Sequence, residues 1–101
     1  MAKRSSARQS IHDQRVSQEA RKLTKQGWMV KADLPGYERP VPIGKGKRVP
    51  DIEAIRRGRR KLLEVETRNT IGRDQKQHET FRRHAGQKPN TSFRIIVVDG
   101  N

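Results

Sequence analysis

The hydrophobic pattern of the N-terminal quarter predicts one amphipathic helix. Its apolar positions recur at the helical period, at Val16, Ala20 and Leu23. Ser10 is a suitable N-cap and Gly27 a suitable stop, so we expect the helix to span 11–26. The preceding residues, 1–10, are basic and show no periodicity, which predicts a flexible basic tail.

Alternating and β-branched runs predict four strands. The first is expected at 28–32, where apolar and polar residues alternate. Residues 49–55 and 60–67 are both strand-like, and Gly58 between them suits a tight turn, so they predict a β-hairpin. The run at 93–98 is the most apolar in the chain, and it predicts a buried, central strand.

Two further segments complete the predicted organisation. Residues 34–47 contain three prolines and three glycines, which predicts a long loop, and long loops in compact domains are often functional. Residues 72–85 return to a helical pattern, which Gly86 and Pro89 are expected to end. The order αβββαβ predicts an α/β fold with a mixed four-stranded sheet flanked by two helices. Because the last strand follows a helix, it can pair in parallel with an earlier strand through a right-handed crossover.

The amino-acid composition predicts a polyanionic binding partner. The 101 residues carry 24 Lys+Arg against 11 Asp+Glu, a net charge of +13, and only 30% are apolar. The length predicts a single domain over 11–101. The chain has no cysteine, which excludes a disulfide scaffold, a zinc ribbon and a thiol nucleophile. No apolar run is long enough to span a membrane, so we expect a cytoplasmic protein. The excess of positive charge predicts that its partner is nucleic acid.

The predicted hairpin collects four acidic residues. With its turn centred on 57–58, Asp51 lies opposite Glu64, and the period of two places Glu53 and Glu66 on the same face. Opposed like charges repel and are normally avoided in a sheet. Three explanations are open: ion pairs with basic residues at the surface, a different register that separates the acids, or a divalent cation held by Asp51 and Glu64. Their oxygen atoms suit magnesium, which in nucleic-acid chemistry polarises a phosphate and activates water.

The same residues carry a family resemblance. Pro50-Asp51, followed on the next strand by Glu64-Val65-Glu66, resembles the PD-(D/E)xK signature of the restriction-endonuclease-like nucleases. The predicted αβββαβ order also resembles the core of that superfamily, and the chain is most similar to its small archaeal Holliday-junction-resolvase-like members, from about residue 11 to residue 99. This resemblance implies a metal-dependent endonuclease that acts on branched DNA with Mg²⁺ or Mn²⁺ as cofactor, working as a homodimer.

The resemblance implies roles for single residues as well. Asp51 matches the metal-binding Asp, Glu64 matches the second acidic ligand, and the main-chain carbonyl of Val65 completes the set. Glu19, on the first helix, resembles an additional catalytic acidic residue near the metal. Gln77, on the second helix, resembles a polar residue that sometimes accompanies the motif.

One position departs from the family pattern. Glu66 stands where the family has a Lys that positions the attacking water and offsets phosphate charge. Either Glu66 serves as a further metal ligand or base, or a Lys from elsewhere, such as Lys76, reaches the site. A chain that has lost this Lys can also be a catalytically inactive nucleic-acid-binding module, which is the alternative function.

Basic residues supply the remaining candidates, because cations that neutralise phosphates release counterions. They lie in the long loop, at the hairpin turn and on the second helix, at Lys45, Lys47, Arg48, Arg56, Arg57, Arg59 and Lys76. A small RNA-binding protein would have a similar size and charge, but that class does not explain four acidic residues on one face.

Overall fold

The described part of the chain is an α/β structure with one four-stranded sheet and two helices, as the sequence predicts. The computed structural model describes residues 6–68 and 70–98. The elements follow the predicted order: α1 (Ser6–Lys25), β1 (Met29–Ala32), β2 (Ile52–Arg56), β3 (Arg59–Thr67), α2 (Gln75–Gln87) and β4 (Thr91–Val98). In the described part of the chain, neither helix is long and apolar enough to cross a membrane.

The sheet is mixed, with β1, β2 and β3 antiparallel and β4 parallel to β3. Its strand order is β1-β2-β3-β4, so β4 lies at an edge and the prediction of a buried, central strand is wrong. Within β4 only Ile96 is buried, and Val97 is 49% exposed. The apolar run has another origin. Both helices contact β4, one from each face, so Ile96 packs in the larger apolar cluster and Phe93 packs against the smaller one.

The first helix begins earlier than predicted. Helix α1 starts at Ser6, so Ser10 lies inside it and is not its N-cap. The intervening residues include neither glycine nor proline, and nothing in them opposes an extra turn. The predicted tail, 1–10, therefore contributes its second half to α1, while residues 1–5 fall outside the described residues.

The second helix ends later than predicted. Gly86 lies inside α2, and the helix runs to Gln87. Lys88 then has an extended backbone, with φ −114° and ψ 125°. The residue before a proline is driven out of the helical region by the proline ring, so Pro89 and not Gly86 ends the helix.

The core has a large and a small part, one on each face of the sheet. On the first face, the predicted stripe of α1, Val16, Ala20 and Leu23, is buried against β2 and β3. On the other face, the buried apolar side chains are Ile43, Leu62 and Phe81. This second cluster is small because the same strand face carries Glu53, Glu64 and Glu66, all nearly inaccessible to solvent.

The β2–β3 hairpin has the predicted register, with Glu53 opposite Leu62. Its turn has φ 49° at Arg57 and φ 78° at Gly58, the two positive values of a type I′ turn. The explanation that relied on a different register is thereby excluded. Asp51 directly precedes β2, beside Glu64 of β3.

The long loop between β1 and β2 folds back onto the sheet. A β-bridge joins Ile43 to Arg48 across a tight turn, and Pro40 and Pro50 are buried. The Val41 N–H donates a hydrogen bond to the Glu53 carboxylate at 3.2 Å. The loop therefore forms one wall of a cleft at the start of β2.

Candidate functional site

Asp51 and Glu64 both line this cleft, whose volume is about 490 Å³. The Asp51 N–H donates to Glu64 Oε1 at 3.0 Å, and the Val65 N–H donates to Asp51 Oδ2 at 2.8 Å. These two bonds join the end of the loop to β3, and they hold both carboxylates in fixed positions. The predicted juxtaposition of the two acids is present.

Glu64 is buried beside another negative charge. Its exposed fraction is 2%, and burial raises its pKa from the usual 4.5 to about 9, with a further contribution from the charge of Asp51. Gln77 Nε2 donates to Glu64 Oε2 at 3.2 Å, which partly favours the ionised form. Without a bound metal ion, Glu64 therefore keeps its proton at neutral pH.

Glu66 lies deeper, in a polar cluster under α2. The Thr70 hydroxyl donates to Glu66 Oε2 at 2.5 Å, and His78 Nε2 lies 3.2 Å from Oε1. Burial raises the pKa of Glu66 above its usual value, and the bond from Thr70 opposes this. One ligand atom each from Glu64, Glu66 and His78 lie within 4.8 Å of one another, so these residues can hold a metal ion.

Helix α1 contributes a histidine to the site. His12 is 5% exposed, its Nε2 lies 3.1 Å from Asp51 Oδ2, and its Nδ1 lies 3.0 Å from Asp13 Oδ1. Glu19, which the family resemblance placed near the metal, lies about two turns further along α1 and is bonded to Arg15 Nε at 3.0 Å. Glu19 does not line the cleft.

The sequence contained a signal for His12. Steps of four residues lead from it to Val16 and Ala20, so it continues the buried stripe of α1, whereas Glu19 lies one position off this stripe. A histidine on a buried stripe needs a polar partner, because an unbonded polar group is costly in a core. Asp51 is a partner of His12 because the start of β2 packs beside this turn of α1.

Glu53 belongs to a separate cluster, although it shares the strand face. Arg60 Nε donates to Glu53 Oε2 at 2.6 Å, and Arg60 Nη1 donates to His84 Nε2 at 2.8 Å. Burial and the charge of Arg60 lower the pKa of His84, which accepts this bond as a neutral ring. Glu53 therefore has the basic partner that the ion-pair explanation expects, but the pair is buried and not at the surface, since Glu53 is 2% exposed. Asp51 and Glu64 line the cleft instead.

Four cations line the cleft around the two acids: Arg39, Lys47, Arg48 and Arg73. Lys47 and Arg48 are predicted site residues, whereas Arg39 and Arg73 are not. Lys45 is exposed in the same loop but does not line the cleft. Lys76, the predicted substitute for the missing Lys, is also exposed and does not line the cleft, whereas Arg73 does.

The arginines of the hairpin turn lie elsewhere. Arg56, Arg57 and Arg59 are exposed at the end of β2 opposite to Asp51. Six residue steps separate Asp51 from Arg57, which at ~3.3 Å each places the turn about 20 Å from the cleft. The predicted basic residues thus form two groups at opposite ends of the hairpin.

Comparison with family models and with curated sequences does not assign the chain to a family. No family model matches the chain, and no curated protein is significantly similar to it. The function therefore has to be inferred from the fold and the cleft.

Proposed function

We propose that this protein is a metal-dependent endonuclease that cleaves DNA phosphodiesters and is related to the PD-(D/E)xK nucleases. The observation that carries the proposal is the contact between Asp51 and Glu64 in a cleft lined by cations. The family resemblance implies these two acids at the start of the second strand and on the third strand of an αβββαβ core. The chain has that order of elements, with both acids at those positions.

The donor atoms of the cleft fit a divalent cation. Asp51 and Glu64 provide carboxylate oxygens, and the Val65 carbonyl lies between Glu64 and Glu66 on the same strand. A buried acid beside a second acid needs a proton or a cation for neutralisation, and Mg²⁺ or Mn²⁺ prefers oxygen ligands of this kind. A bound cation would polarise the phosphodiester and lower the pKa of a bound water.

The other residues of the cleft have roles that follow from their chemistry. Arg39, Lys47, Arg48 and Arg73 attract the phosphate backbone and offset the charge of a bound phosphodiester. His12 orients the Asp51 carboxylate from α1. Gln77 does the same for Glu64 from α2, since its amide donates to Oε2. These contacts hold the two acids in place before any substrate binds.

Two features of the proposal depend on the resemblance and stay predictions: a preference for branched DNA and a homodimer with two cleavage sites. A location in the cytoplasm stays a prediction from the sequence pattern. The net charge of +13 supports nucleic acid as the partner, because a surface of this charge attracts any polyanion.

Incubation of the purified protein with labelled branched, flapped and linear DNA tests the proposal. We expect cleavage in the presence of Mg²⁺ or Mn²⁺, and a loss of at least about 100-fold for Asp51→Asn, because removing one group that stabilises transition-state charge has effects of that size. Asp33→Asn is the matched control, since Asp33 lines the same cleft and its side chain contacts Arg39 at 3.8 Å. Equal residual cleavage by Asp51→Asn and Asp33→Asn contradicts the proposal.

A catalytically inactive nucleic-acid-binding module is the second candidate. Glu66 favours it, because this residue replaces the family's Lys and is fully buried, with bonds to Thr70 and His78. Tight DNA binding without cleavage of any substrate under either metal identifies this function. Tighter binding of structured RNA than of DNA identifies an RNA-binding protein.

A further inference from the structure

The tip of the β2–β3 hairpin is an uncompensated cationic surface. Arg56, Arg57 and Arg59 are all exposed there, and among residues 6–68 and 70–98 none of the three forms an ion pair. Arg15 and Arg60 do find carboxylates. Three neighbouring guanidinium groups without an acid repel one another, and a polyanion removes this repulsion.

The backbone of the turn adds an independent observation. Arg57 has φ 49° and is followed by Gly58 at φ 78°, in a type I′ turn. Asn, Asp and Gly are preferred at the first of these positions, because other side chains in the left-handed region cost about 1 kcal/mol. Arginine therefore occupies a position where asparagine would be more stable. Residues held in such conformations cluster at functional sites.

A strip of exposed apolar side chains, made of Met29, Ile55 and Val41, lies between the tip and the cleft. Met29 pairs with Ile55, and Ile55 shares its sheet face with Glu53 because side chains alternate along a strand. In the described part of the chain, α2 packs on this face against β3 and β4 but does not contact β1 or β2. Met29 is consequently 71% exposed and Ile55 36% exposed, with Val41 of the loop 49% exposed.

We propose that the hairpin tip is a second nucleic-acid contact, separate from the acidic cleft, and that a DNA duplex lying along β2 reaches both. The inference rests on the proposed function, since it takes DNA as the partner. Each strand of a duplex carries one phosphate per ~3.4 Å, so the separation of about 20 Å corresponds to about six base pairs. Arg57, in the turn itself, binds backbone phosphates at the tip, whereas Arg56 and its partner Arg59 lie on the opposite face of the sheet from Ile55. Shorter duplexes reach only one of the two sites.

Replacing Arg57 with Asn tests this inference, because the change has opposite effects on folding and on binding. Asn-Gly is the preferred type I′ pair, so we expect Arg57→Asn to raise the melting temperature. We expect its affinity for a 20-base-pair duplex to fall about five- to tenfold at 0.1 M salt, with the slope of log K against log salt reduced by about one. Its affinity for a hairpin oligonucleotide with a stem of about five base pairs should not change. Fluorescence anisotropy in EDTA measures both affinities without cleavage.

Arg83→Gln is the matched control, since Arg83 is exposed on α2, away from the strip. We expect it to change the affinity for the long duplex less than twofold. The inference is overturned if Arg57→Asn binds the long duplex like the unmodified protein, or if both variants lose affinity equally. It is also overturned if Arg57→Asn loses the same affinity for both DNA lengths. The same holds if polyglutamate displaces the duplex when the two polyanions are present at equal concentrations of negative charge.

These results separate the inference from the proposed nuclease activity. If the tip does not bind DNA, metal-dependent cleavage of long and short substrates remains and is unaffected by Arg57→Asn. If the protein is not a nuclease, no substrate is cleaved, but the length-dependent loss of affinity in EDTA persists.

Discussion

Replacing Glu64 with Gln is expected to make the metal-free protein more stable at pH 8. The folded chain holds a proton on Glu64 up to about pH 9, whereas the unfolded chain releases it near 4.5. Between these values the free energy of unfolding falls with pH, by up to about 1.4 kcal/mol per pH unit for one such group. Gln has the shape of the protonated acid and no proton to lose. The variant should therefore match the unmodified protein at pH 4.5 and exceed it by several kcal/mol at pH 8.

Urea unfolding at a series of pH values in EDTA measures this effect. Glu79→Gln is the control, because Glu79 is an exposed acid on α2. We expect its stability to follow that of the unmodified protein at every pH. Parallel pH profiles for Glu64→Gln and the unmodified protein would contradict the burial of a protonated carboxyl in this cleft.

The same variant tests the link between burial and metal binding. A cation displaces the proton of Glu64, so its binding should release protons and tighten as the pH rises towards 9. At pH 8, millimolar Mn²⁺ should raise the melting temperature of the unmodified protein, because a ligand of the folded state shifts the folding equilibrium. Glu64→Gln should show no such rise. An equal rise in both proteins would place the cation elsewhere.

Replacing Arg60 with Ala is expected to destabilise the fold by about 3–5 kcal/mol. The Glu53 side chain is 3% exposed, and its contact with Arg60 Nε is 2.6 Å long. Removing one partner of a buried ion pair leaves an uncompensated charge in the core, which has a cost of this size. The change also removes the bond to His84, so the end of α2 should loosen from β3.

Two comparisons separate this effect from the loss of side-chain packing. Arg15→Ala removes a similar contact, of 3.0 Å to Glu19, from a 40% exposed side chain, and we expect it to cost less than about 1 kcal/mol. The double variant Arg60→Ala with Glu53→Gln should recover part of the lost stability, because the buried charge is gone. No recovery in the double variant would show that packing by the Arg60 side chain dominates. Chemical unfolding at pH 7 measures all of these values.

These two experiments distinguish the two kinds of acid on one sheet face. Glu53 is neutralised by Arg60 within the fold, whereas Glu64 has an acid, an amide and an N–H as its neighbours. The first arrangement serves the fold, and the second weakens it at neutral pH. Groups whose pKa is displaced in this way are concentrated at functional sites.

The hairpin shows how far sequence patterns reach. Its register follows from the alternation of apolar residues and from Gly58 in a two-residue turn, both of which are local. The contact between Asp51 and Glu64 follows from this register. The edge position of β4 could not be obtained in this way, because an apolar run does not show which strands lie beside it in the sheet.

The cleft shows where local patterns stop. Arg39 and Arg73 are far apart in the chain. They line the same cleft only because the loop before β2 folds back beside the segment that leads into α2. The choice of His12 over Glu19 as the α1 residue at the site depends on which turn of the helix crosses the start of β2. Such contacts are set by the packing of whole elements, which no window of sequence contains.

The sequence by itself determined the positive charge of the protein, the stripe of α1 and the hairpin that opposes two acids. These properties depend on composition, on periodicity and on residues joined by a short turn. The tertiary structure alone decided that Glu64 is desolvated, that Glu53 is neutralised and that Arg39 and Arg73 line the cleft. Desolvation and ion pairing depend on every element that surrounds a group, and most of those elements are distant in the chain.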